Sequence, residues 1–296
     1  MSRCFGRYRG LRALCLLGVL VGCGVRGLEL PAAAGQSLPI RVEQGDWGSA
    51  RPVDIRAVLR SAAAQLVPHF ECFNLPEIAV FPARGNPITL HARGPRQEVR
   101  IGLTARDRYW AQYAFQFGHE LVHYLVGHLD TEKRWPIGSH GAGWFEESLC
   151  EAGSLFVLRG MAVQWQVTPP HPHWSDFSAA LSTYAQQRME LPEHRLPGEQ
   201  SFAEWYAVHR ETLQAEPLQR ARNAIVAQQL LPMLEAEPSG WRATAYLRSG
   251  EVDPAGPLEE VLPAWHDACP EDLRDFVLRF AEALEVTWGS ADGISP

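Results

Sequence analysis

Residues Phe115 to His128 read FQFGHELVHYLVGH. If this stretch is helical, His119 and His123 project from one face, one turn apart, and both imidazoles can reach a single ion. Glu120 then lies about 100° round the cylinder, where its carboxylate can take a proton from water beside that ion. Leu121, Val122, Phe115, Phe117 and Leu125 surround the polar residues with apolar ones. Such surroundings limit water and strengthen electrostatic interactions. The competing reading is a buried helix that happens to carry histidines. The chain has eleven histidines, so the motif needs support from its context. The helix is expected to open near Asp107, as N-cap, and to run for about six turns.

Catalytic zinc takes three protein ligands and keeps one position open. His128 is the nearest candidate for the third. On a continuing helix, however, it lies about 140° round from His123, and it suits a helix C-terminus better. The alternative stands on the far side of a Pro/Gly-rich loop, where Trp144 to Glu151 read WFEESLCE. A helix there, folded back antiparallel, brings Glu146 or Glu147 to the two histidines. Acids near a helix N-terminus are also favourable in themselves, which is enough to account for Glu146.

The combination of HELVH, a glutamate separated from His123 by 23 residues, and an aromatic three positions before that glutamate resembles the gluzincin type of zinc metallopeptidase. The resemblance covers about Glu77 to Gly160. It implies one Zn2+ ion held by His119, His123 and Glu147, with Glu120 as general base. It implies that Glu151, four residues beyond Glu147, supports the first histidine by accepting the imidazole's other N–H. It also implies a peptide or protein substrate, and the strand Glu98–Thr104 is either the sheet edge that pairs with it or simply core sheet. Tyr206, His209, Tyr246, His171, His173 and the loop residue His140 are candidates for stabilising a developing oxyanion. A non-catalytic zinc-binding lipoprotein of zincin-like fold is the rival reading. The intact Glu120 argues against it, since a structural site has no use for a base.

Working outward, Val53 to Val67 have helical spacing and many alanines, closed by Pro68. Short β-branched segments follow near residues 77–81, 88–92 and 98–104, separated by turn compositions, and another lies near residues 38–42. Beyond Ser175 the periodicity is mostly helical, with the stretch between Gly240 and Pro254 ambiguous. The expected fold is α+β: a small antiparallel or mixed sheet, the HExxH helix, the glutamate helix, then a mostly α-helical C-terminal part. Residues 47–165 would form the zincin-like catalytic domain and 166–296 the helical part, preceded at 24–46 by a tether and first strand.

The N-terminus has its own character. Residues 1–22 carry four arginines, no acid and a short apolar run, the architecture of a signal peptide. Leu20-Val21-Gly22-Cys23 looks like a bacterial lipobox, which implies lipidation of Cys23 and anchoring to the cell-envelope membrane. An ordinary signal cut after Ala32-Ala33-Ala34, giving a secreted protein, is the alternative. The formal charge is −7 on the full chain and, without those four arginines, −11. With no basic cluster, nothing points to a nucleic-acid partner. Of the six cysteines, Cys72, Cys150 and Cys269 remain in the body of the chain, with no CxxC pair for a thiolate zinc site.

Overall fold

Four short strands build one mixed sheet at the N-terminal side: β1 (Ile40–Val42), β2 (Ile78–Pro82), β3 (Ile88–Leu90) and β4 (Val99–Leu103), in the order β1-β2-β4-β3. The first three neighbours in that order are parallel, and β3 pairs antiparallel with β4. The computed structural model describes residues 38–70, 75–90, 92–126, 142–249 and 256–288. The signal, Cys23, the tether, Cys72, His128 and His140 lie outside the described residues. The described residues all belong to one compact unit, Gly35–Pro296.

Interior strands of a parallel sheet are covered on both faces and therefore read as continuous apolar runs. Ile78, Ala79 and Val80 of β2 are buried in succession, as are Ile101, Gly102 and Leu103 of β4. Of the two readings of Glu98–Thr104, core sheet holds and edge strand does not. The edges are β1 and β3, and on β3 Ile88 is exposed and Thr89 buried.

Helix α1 (Pro52–Leu66) opens with proline at its first position, where the missing N–H is no loss. The motif helix α2 (Trp110–Val126) packs against α1, β3 and β4. Between Gln116 and Val126 every residue except His119 is buried, so α2 is a central helix rather than an amphipathic surface one. Asp107 is not its cap. That residue has φ 53° and its carboxylate accepts the Ser49 amide at 2.7 Å instead. Gln116 ties the helix to the end of β4, its side-chain oxygen accepting the amides of Thr104 and Ala105 at 2.9 and 3.0 Å.

The glutamate helix α3 (Gly143–Val167) is followed by α4 (Phe177–Glu190), α5 (Phe202–Ala215), α6 (Arg220–Ala236), α7 (Gly240–Thr244), α8 (Leu258–Ala268) and α9 (Glu271–Ala283). Helix α3 runs through residues 165 and 166 without interruption and packs on α4 and α6. Its first turn is set among the last helices: Phe145 stacks on Phe280 at 4.8 Å and Trp144 meets Tyr206 at 5.8 Å. The helical C-terminal part therefore shares one core with the N-terminal half, and α3 crosses residues 165/166 without a break.

Helices α2 and α3 cross antiparallel at small residues. A Cβ on Gly118 would come within 3.2 Å of Ser154 Cα, and one on Gly153 within 2.4 Å of Val122 Cγ2. Ser154 Oγ donates across the crossing to the Phe115 carbonyl at 2.9 Å. Alanine is intrinsically favoured over glycine in a helix by about 1 kcal/mol. Gly153→Ala should nevertheless lower stability by about 1–3 kcal/mol, because Val122 is fully buried and branched at Cβ. Urea denaturation followed by circular dichroism measures this; a midpoint at or above wild type would show that the crossing has room to spare.

Candidate metal centre

The crossing places His119 and His123 of α2 opposite the first two turns of α3. The two imidazoles stand with ring centroids 5.1 Å apart. Glu147 reaches both: one carboxylate oxygen is 3.3 Å from His119 Nε2 and the other 3.4 Å from His123 Nε2. The other nitrogen of His123, Nδ1, lies 2.7 Å from Glu146 Oε1. Burial alone would lower His123, but Cys150, Glu146 and Glu147 raise it well above its ordinary value, so the ring is an imidazolium that donates to Glu146 from Nδ1 and faces Glu147 from Nε2. A metal cation can replace the Nε2 proton while Nδ1–H stays on Glu146. Charge-assisted N–H···O bonds are about 2.7–2.9 Å long. Ligands bonded tetrahedrally to zinc at about 2.0–2.1 Å stand roughly 3.3–3.4 Å from one another. The donor set and its spacing fit a zinc ion.

Glu146 does not compete for that ion. Arg248 grips it from the far side, Nε donating to Oε2 at 3.0 Å and Nη2 to Oε1. His123, Glu146 and Arg248 are all buried. Burial alone would raise the Glu146 carboxyl, but Arg248 and then His123 hold it down, at about 2. Glu147 is likewise opposed by burial and pulled well below the usual carboxylate range by His119 and His123. Both are therefore anions at neutral pH. The expectation that Glu151 supports a histidine is corrected here: Glu151 accepts Arg188 Nη2 at 3.0 Å, and the carboxylate on a histidine Nδ1 is Glu146.

Cys150 is a second donor at the same place. Its sulfur and one nitrogen from each histidine lie within 4.8 Å of one another. Metal binding needs the thiolate, and burial pushes the Cys150 thiol up to about 12. Glu147 is already ionised and lines the cleft, whereas Cys150 does not. Glu147 approaches both histidine Nε2 atoms from the cleft side and the cysteine stands on the core side, so the centre offers two candidates for a third ligand. Lone cysteines without a paired spacing hid this neighbour in the sequence. Its position one turn beyond Glu146 was the available signal. Cys150 and Cys269 are both free and buried.

The cleft itself encloses about 680 Å³ between β3, α2, α3, α4 and the start of α6. Glu120 lies on its wall, 5% exposed. Thr89 of the edge strand approaches it, with Oγ1 2.8 Å from Glu120 Oε2 and 2.9 Å from the Glu120 carbonyl oxygen. The single hydroxyl proton serves one of these at a time and keeps the carboxylate turned toward the cleft. None of Tyr206, His209, Tyr246, His171 and His173 lines this cleft. Tyr206 donates to Glu259 at 3.0 Å, and His209 Nδ1 lies 2.8 Å from the Trp205 carbonyl. The cleft presents Tyr184 instead, one turn before Arg188 on α4. Burial raises its phenol, so it remains a neutral O–H donor.

The Arg248–Glu146 pair makes two measurable demands. Removing one partner of a buried pair leaves an uncompensated charge, so Arg248→Ala should cost about 3–5 kcal/mol, and a Glu146→Gln/Arg248→Met double variant should recover part of that. In the folded state the Glu146 carboxyl sits near 2, against its ordinary 4.5. Its contribution is therefore complete above about 4.5 and is lost as pH falls toward 2. The double variant should lose less stability than wild type over that interval in urea titrations; equal losses would remove Glu146 from the acid response. No family model matches the chain and no curated protein matches it, so the chemistry of these side chains is what speaks for the centre.

Proposed function

We propose that the protein is a zinc-dependent metallopeptidase of the gluzincin type that cleaves peptide bonds in the bacterial cell envelope. The observation that carries this reading is the 3.3 and 3.4 Å convergence of Glu147 on the two histidine Nε2 atoms, in one cleft with Glu120. His119, His123 and Glu147 would hold the ion. When bound, zinc supplies a Lewis acid that activates water and polarises a substrate carbonyl. Glu120 accepts the proton released by the attacking water and delivers it to the leaving amine. Thr89 holds the Glu120 carboxylate in line for both transfers. Tyr184, a neutral O–H on the wall of the cleft, would donate to the oxygen on which charge develops.

The edge strand supports a peptide as substrate. β3 uses one side for β4, and its other side has main-chain groups for an extended chain lying antiparallel or parallel to it. Thr89 belongs to that strand, so a peptide held there runs beside Glu120. The proposed location rests on residues 1–23: a signal ending at Gly22, lipidation of Cys23 and a membrane-tethered acidic domain.

Protein prepared in metal-free buffer and reloaded should bind about one zinc per chain, and His119→Ala should abolish that binding. Glu120→Gln should keep the zinc and lower turnover of a mixed peptide library by about 10²–10⁴-fold. Identical cleavage by wild type and Glu120→Gln would end the hydrolase reading. Radiolabelled palmitate should enter the wild-type chain in a bacterial host and be absent from Cys23→Ala; equal labelling would place any acyl group elsewhere.

A further inference from the structure

One wall of the cleft is cationic and incompletely partnered, and nothing in the hydrolytic chemistry uses it. Arg188 on α4 and Arg220 at the first position of α6 both line the cleft. Arg188 spends one amino group on Glu151, lies over the Phe115 ring at 5.0 Å and keeps a buried Nε with no acceptor. Arg220 is exposed and forms no ion pair among the described residues, while Arg222, two positions on, is paired with Glu216. Of the acids in the cleft, Glu147 faces the histidines, Glu151 faces Arg188 and Glu120 holds Thr89. Arg220 is left as the uncompensated cation.

A third group sits beside it. Asn223 is 3% exposed, lines the cleft and leaves its side-chain oxygen without a partner. Its Nδ2 donates to the Pro217 carbonyl at 2.8 Å, which fixes the amide so that the free atom is the oxygen. A buried acceptor of this kind lacks an N–H donor, and an unmatched one is costly. The first turn of α6, which carries Arg220 and Asn223, has no side-chain cap, so its amides add a positive end to the same wall. The ligand that satisfies this wall has an N–H for Asn223 close to an anion for Arg220 and Arg188.

We infer that this wall is a specificity subsite for a peptide carboxylate: Asn223 accepts a main-chain N–H while Arg220, with Arg188 behind it, takes the carboxylate of a chain terminus or of an acidic side chain. The inference deepens the peptidase reading and rests on it for the identity of the ligand as a peptide. The geometry of the subsite does not depend on turnover.

Binding separates the two. In the full-length, zinc-loaded Glu120→Gln protein, fluorescence anisotropy would compare three probes: dansyl-Ala-Ala-Phe-Leu with a free terminus, the same peptide as its C-terminal amide, and dansyl-Ala-Ala-Phe-Glu-amide. At least one acidic probe should bind about fivefold or more tighter than the neutral amide, with the advantage shrinking as salt is raised. An advantage of the terminal acid alone assigns recognition of a chain end, and one of the glutamate probe alone assigns recognition of a side chain. Adding Arg220→Gln should erase the advantage and leave the neutral probe unchanged, while Arg222→Gln should leave all three as they were. Equal binding of acidic and neutral probes, no binding of any probe, or an advantage that survives Arg220→Gln because the carboxylate sits on the metal, would each overturn the inference. Absence of cleavage by wild type with the Arg220-dependent advantage intact would instead strike the peptidase reading alone.

Discussion

Two helices can bring two imidazoles and two carboxylates to one point only if their backbones come close, and glycine and serine side chains make that possible here. Gly118 immediately precedes His119, and Gly153 lies against Val122, the residue before His123. Each of the two histidines therefore follows directly on a contact of the crossing. The interiors of proteins are close-packed, so a shift of the crossing cannot be absorbed locally. It would be transmitted to the separations between Glu147 and both rings.

The crossing also explains why adjacent acids have different fates. Glu146 and Glu147 lie about 100° apart round α3. Glu147 faces the cleft, where the histidine Nε2 atoms point. Glu146 turns inward, where a lone carboxylate would be strongly disfavoured, and persists because His123 and Arg248 both engage it. Arg248 lies 102 residues further along the chain. The segment that carries it to the site is thereby part of the site's charge balance, although it adds nothing beside the histidine Nε2 atoms.

Much of the frame was legible. The strands near residues 40, 78, 88 and 99 and helices α1, α2 and α3 follow from apolar spacing and from proline and glycine punctuation. Sheet order was not, because the insertion of β4 between β2 and β3 is a long-range choice that leaves no local mark. Asp107 looked like a cap because its residue type suits one; its left-handed backbone and its bond to Ser49 depend on a neighbour 58 positions away. Helix α8 has helical spacing in Leu258, Val261, Leu262 and Trp265, but Pro263 within it reads locally as a breaker, and the stretch containing Arg248 lacked clear periodicity. Within the site, HELVH was plain, whereas the choice between Glu146 and Glu147 was not decidable from amphipathicity. Near its N-terminus α3 is buried on nearly every face, so no polar stripe marks the ligand.

The cleft's polarity has the same origin as its scaffold. Acids and imidazoles come from α2 and α3, which cross in the core, and so each must be matched by a proton, an ion or a guanidinium. The arginines come from α4 and α6, which cover α3 from outside and meet solvent at their ends. Arg188 belongs to both sets: its contact with Glu151 completes the inner charge balance, and its stacking on Phe115 fixes the outer wall against α2. The two walls of the cleft thus differ, with carboxylates and imidazoles on one side and unspent positive charge on the other. If the proposed peptide lies along β3 with a terminal carboxylate against α6, that difference in charge fixes the direction of the chain.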